Sequence, residues 1–184
     1  MTRSWFLPLL RDDLDARQRR LVAELVVGDD RREGIQLAQG EDGLPGPFEA
    51  LLRTPRLGVE IARLGGRLQV QGVLPSHVRE MIICLVAARL NSAFEWDAHQ
   101  AAASAAGVTD AQLATLRRGE VPDGLHPADA ALLDLAAGLV AGGQAGESTR
   151  GLALQLTGEE AVVETATLVG YYELIAHVLV VGGR

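Results

Sequence analysis

An all-α bundle of about eight helices is the fold class that the sequence predicts, on three observations. Apolar residues recur at helical spacing in one segment after another. β-Branched residues are not organised into the alternating runs that half-buried strands need. Prolines stand at helix starts and glycines at helix stops. At 184 residues the chain is long enough for a sizeable core and fits one domain, 1–184. Residues 1–46 read as an N-terminal helix and loop, and 47–184 as the helical core.

The elements follow in order. Residues 12–27 read as a first helix with Leu14, Leu21 and Leu25 on one face. Residues 28–46, GDDRREGIQLAQGEDGLPG, are polar and glycine-rich, a loop long enough to suggest a functional cover or a mobile segment. Pro47 opens a short helix through FEALLR, and Pro55 a longer one. In the longer one Leu57, Ile61, Leu64 and Leu68 form the apolar stripe, and Gly65 and Gly66 suggest close packing or a kink.

Residues 75–90, PSHVREMIICLVAARL, are apolar on most sides, as in a central buried helix. Asn91 and Ser92 interrupt the run, and AFEWDAHQAAASAA continues as a second helix to Gly107. These two segments should form a central antiparallel pair. Thr109 caps TDAQLATLRRG, and HPADAALLDLAAGLVAGG puts Leu132, Leu135, Leu139 and Val140 inward. ESTRGLALQL follows a glycine-rich break. The last helix, from Gly158 to Val181, is apolar nearly all round and is expected to be enclosed.

Composition excludes several functions. A net charge of −7 argues against binding nucleic acid, whose phosphates need clustered cations. All 17 basic residues are arginine, so Schiff-base chemistry through a lysine amine is excluded. The single cysteine, Cys84, has no partner for an intrachain disulfide and reads as a buried apolar thiol. The opening MTRSWFLPLLRDDLD shows no secretory signal, and the apolar runs are too short or too glycine-broken for a bilayer. A soluble, cytoplasmic protein without membrane contact is the expectation.

The stretch NSAFEWDAHQ carries the candidate chemistry. Ser92 and Glu95 stand at the spacing of a capping box, which would leave them purely structural. Glu95 and His99 are four apart and share a helical face, with Trp96 beside them as a surface for a flat guest. Glu80 interrupts the apolar helix before them, and a buried carboxylate needs a partner; His99 or an arginine would serve. Arg79 could grip a substrate carboxylate.

Phe48 could roof such a site, and Tyr171 and Tyr172, the only tyrosines, sit together on an apolar helix. Glu173 and His177 repeat the acid–histidine spacing. His77 and His126 stand beside prolines near helix starts and read as surface residues. A metal set of Glu80, Glu95, His99, Glu173 and His177 would require the two helices to meet, so no metal is assigned.

The pattern of Glu80, Ser92, Glu95 and His99, preceded by LPSHVRE and followed by AAASAAGVTDAQL, resembles the carboxymuconolactone decarboxylase and alkylhydroperoxidase D superfamily. GPFEALLRTPRLG and LVGYYELIAHVL resemble its longer members. The resemblance implies an alkylhydroperoxidase D-like fold and a homo-oligomer: dimer, trimer or hexamer. In the peroxidase branch, redox cysteines occupy the positions of Ser92 and Glu95, with a proton relay on Glu80 and His99. Lacking those cysteines, this chain cannot carry out thiol peroxidase chemistry.

The decarboxylase branch implies a cofactor-free enzyme acting by acid–base catalysis on a small organic acid, lactone or related ring. In this reading His99 transfers the proton and Glu95 or Glu80 orients it. Substrate contacts would come from Ser92, Trp96, Arg79, Phe48, Tyr171, Tyr172 and His177. Decarboxylation, ring opening, isomerisation and cyclisation are all open. The alternative is a non-catalytic helical protein that binds a small ligand or serves as a scaffold.

Overall fold

The computed structural model describes Phe6, Leu9 and residues 11–27 and 46–183. Except for Gly46, the glycine-rich segment 28–46 lies outside the described residues, as does most of the stretch before Arg11. Eight α-helices and one short 3-10 turn, Arg11–Asp13, make up the described architecture, with no strand among the described residues. The all-α prediction holds. The chain divides into two compact units, Met1–Gly72 with His177–Arg184, and Val73–Ala176.

The first unit holds α1 (Ala16–Val27), α2 (Phe48–Leu51) and α3 (Pro55–Val70). The first helix starts later than the sequence suggests, because Asp15 caps it. Its carboxylate accepts from the N–H groups of Arg17 and Gln18, while the Gln18 side chain accepts from the Asp15 N–H. Leu14 and Leu21 pack with Leu51, Leu52 and Val59, and Leu25, Ile61 and Phe48 close round them.

The stripe predicted for α3 is corrected. Leu68 is buried, but Leu57 and Leu64 face outward and Val59 takes the inward place. Gly58 explains the rotation: a β-carbon there would lie 2.7 Å from Leu21 Cδ2 and 2.9 Å from the Leu51 carbonyl oxygen. A close approach of the kind expected at Gly65 or Gly66 is thus found at Gly58, and Gly65 is itself buried. A β-carbon at Gly66 would meet nothing within 4 Å, and α3 runs unbroken through both glycines.

The second unit is built around α4 (Ser76–Arg89). Every residue from Glu80 to Ala87 is buried. α5 (Ala93–Ala105), α6 (Asp110–Arg117) and α7 (Pro127–Gly142) all pack against it. α4 ends at Asn91, held at φ 54°. The N–H of Ser92 reaches the Ala87 carbonyl at 2.8 Å and that of Asn91 reaches Ala88 at 3.2 Å, a Schellman stop with asparagine in the left-handed position. The turn is so short that α5 must fold straight back along α4. This is the predicted central pair.

Gly107, at φ 97°, ends α5 in the same way. Thr109 and Gln112 form a full capping box at the start of α6. Arg89 ties the unit together by donating to the carbonyls of Gly119 and Ala137.

α8 (Glu147–Val181) is interrupted at Gly158, whose φ 84° and ψ 172° are not helical. Beyond the break, Ala161, Thr165, Leu168, Tyr172 and Ile175 alternate at four- and three-residue steps as one buried stripe. Other faces carry exposed Val163, Leu174, Val180 and Val181, so the expected all-round enclosure is not found among the described residues. By length and composition α8 is also apolar enough to cross a membrane, contrary to the reading of the apolar runs. Glu164 anchors α8 within the second unit by accepting from the N–H groups of Val73 (2.6 Å) and Leu74 (3.2 Å).

Candidate active site

α4 and α5 run back from a common turn, so residues at similar distances from it stand level. Glu80 on α4 and His99 on α5 lie on the facing sides of this pair. Their side chains meet: His99 Nδ1 lies 2.8 Å from Glu80 Oε2. Arg79 Nε donates to the other Glu80 oxygen at 3.3 Å. The buried carboxylate thus has two partners, as its removal from water requires.

The other edge of His99 faces two further groups. Nε2 lies 3.1 Å from the Tyr172 hydroxyl and 3.6 Å from Glu95 Oε2. The Tyr172 ring meets the imidazole edge-on, with centroids 5.1 Å apart, and Tyr171 meets Tyr172 likewise at 5.2 Å. Glu80, Glu95, His99 and Tyr172 are each no more than 6 % exposed. A histidine so placed can hold a proton between two carboxylates, or present one lone pair to an acidic O–H.

Residues 60–138 match the model of the carboxymuconolactone decarboxylase family, and that segment contains Glu80, Glu95 and His99. This segment is similar to the carboxymuconolactone decarboxylase family. Neither the curated proteins nor the solved structures yield a match.

Within the carboxymuconolactone decarboxylase segment, Ser92 and Glu95 do not form the capping box that their spacing permits. Ser92 is the N-cap of α5 without a side-chain cap bond, and its buried hydroxyl has no hydrogen-bond partner. Glu95 turns inward to His99 instead. Trp96 is buried; Arg117 lies 4.5 Å over its ring and its indole N–H donates to Gln100. One face of the Trp96 ring is therefore already occupied by a guanidinium.

Arg79 is mostly buried beside Glu80. Tyr171 is half-buried and touches the site through Tyr172. Outside the family segment, Glu173 is half-buried and His177 is exposed. Phe48 packs on the apolar cluster of the first unit. The described residues contain no group of three or more His, Cys, Asp or Glu placed to hold a metal ion.

Other side chains of the family segment have structural roles. His77, for which the sequence offers no evident partner, lies 3.0 Å from Asp129 and joins the starts of α4 and α7. His126 caps α7 by accepting from the Ala128 N–H. Cys84 is fully buried, and burial together with the negative charge of Glu80 pushes its thiol up to about 12. A cleft of about 150 Å³ beside the α4–α5 turn is lined by Ala87, Ala88, Asn91, Ala93 and Arg117, none of which hydrogen-bonds His99.

Tyr172 is the site residue whose role the sequence does not disclose. Its place on an apolar helix suggests substrate contact, yet it stands hydrogen-bonded to His99 from 73 residues away. The signal available is weak: a tyrosine within an apolar helix needs a partner for its hydroxyl.

Proposed function

We propose that this chain is an enzyme that moves protons on a small organic acid, lactone or related ring without a bound cofactor, with His99 as the proton-transfer residue. The observation that carries this reading is the convergence of Glu80 and Glu95 on one buried imidazole inside the family segment. Glu80 fixes the ring, and Glu95 stands where it favours the imidazolium once a proton has been taken. A charge that develops there is stabilised far from bulk water, where such interactions are strongest. The inertness of Cys84 accords with proton chemistry rather than thiol chemistry.

The test is turnover of small lactone acids, carboxymuconolactone first, by the wild type and by His99→Gln. Loss of about 10²–10⁴-fold is expected for a missing acid–base group. An unchanged rate overturns the reading.

One observation favours a second reading, a non-catalytic binding or scaffold protein: both His99 nitrogens already have partners. On that reading His99→Gln lowers stability and no lactone acid is turned over. The exposed apolar residues of α8 support self-association as a dimer, trimer or hexamer. A cytoplasmic location, a small-molecule substrate and no nucleic-acid partner complete the proposal.

A further inference from the structure

We infer that Tyr172 is a positioning residue that decides which nitrogen of His99 carries the lone pair; the inference rests on the proposed role of His99 as the proton-transfer group. Both Glu80 oxygens have partners, one facing Arg79 Nε and the other facing His99 Nδ1. The guanidinium N–H can only donate, and the carboxylate accepts at both oxygens, so Nδ1 bears the hydrogen. In the neutral ring Nε2 then holds the lone pair, and the group 3.1 Å away is the Tyr172 hydroxyl, which donates to it.

The arrangement is a chain of two hydrogen bonds running the same way, phenol to imidazole to carboxylate. It sets the tautomer from both sides. When Nε2 takes a proton from the substrate, the substrate's C–H or O–H bond breaks and leaves its electron pair there, an N–H bond forms at Nε2, and Nδ1 keeps its hydrogen bond to Glu80. The phenol then turns its oxygen to Nε2 as acceptor, and Glu95 Oε2, 3.6 Å away, faces the new positive charge. Tyr172 can fill both roles because a hydroxyl donates or accepts by rotation alone. The edge-on packing against His99 holds the phenol in range through that exchange.

Tyr172→Phe removes the hydroxyl and keeps the ring, so packing survives while the second hydrogen bond does not. The readout is histidine-selective nitrogen NMR of the ligand-free protein at a pH where His99 is neutral, with His99→Gln identifying its signals among the four histidines. The wild type should show a protonated Nδ1 and a hydrogen-bonded, unprotonated Nε2. In Tyr172→Phe the Nε2 signal should lose its hydrogen-bond shift and the ring should populate both tautomers, whereas Tyr171→Phe should keep the wild-type pattern. A wild-type ring protonated at Nε2 overturns the inference, and that measurement decides the matter even if the phenylalanine variant fails to fold. A folded Tyr172→Phe with unchanged nitrogen signals overturns it as well. Neither result depends on turnover, so failure here is distinct from failure of the His99→Gln assay.

Discussion

At the scale of the residue, Glu80 is the side chain on which most depends. It joins Arg79 to His99 in a place with little solvent, and removing it orphans two donors at once. Glu80→Ala should lower unfolding stability by about 3 kcal/mol, measured by urea denaturation, with Glu80→Gln intermediate because it still offers one acceptor. The presence of Glu80 as a buried acid is legible in the sequence, since a lone carboxylate in REMIICLVAARL demands a partner. The sequence narrows that partner to a histidine or an arginine, and the structure uses both. Tyr172 is not legible as a partner, because no local spacing connects residues 73 positions apart. The Ser92–Glu95 capping box illustrates the opposite error. The local signal is present, but Glu95 turns to a buried histidine instead of to the Ser92 backbone N–H.

At the scale of the element, the turn between α4 and α5 sets the register of the site. Asn91 occupies the left-handed region, which β-branched residues avoid most strongly. Asn91→Val should therefore cost about 1–2 kcal/mol and depress the melting temperature, while Asn91→Gly should stay close to wild type. Gly58 gives a sharper case: Gly58→Ala places a methyl against the Leu51 carbonyl and the Leu21 side chain, and the melting temperature should fall as α3 is pushed from α2 and α1. Stops and caps at Asn91, Gly107 and Thr109 can be read in the sequence because they are local chemistry. The orientation of α3 cannot. Periodicity identifies an apolar stripe, yet Leu57 and Leu64 face outward because a glycine allows another surface to approach more closely.

At the scale of the whole molecule, burial and charge make stability depend on pH in a defined direction. The Cys84 thiol stays protonated up to about 12 in the folded chain, whereas an unfolded thiol titrates near about 8.5. Above that lower value the unfolded state has released a proton that the folded state retains. The stabilising contribution of the unfolded thiol's protonation balance is thus unchanged below about pH 8.5, and stability declines as pH rises toward 12, at about 1.4 kcal/mol per unit. Urea unfolding between about pH 8 and pH 10 should show this slope, and Cys84→Ala should flatten it. Gly158 also acts at a distance within the second unit. Its backbone angles fall where only glycine is comfortable, so it is the bend that aims the rest of α8, Tyr172 included. A methyl at that corner would press the helix to straighten and drag the phenol out of line with the imidazole. A lesion several helical turns from the phenol would then masquerade as damage to the chemistry itself.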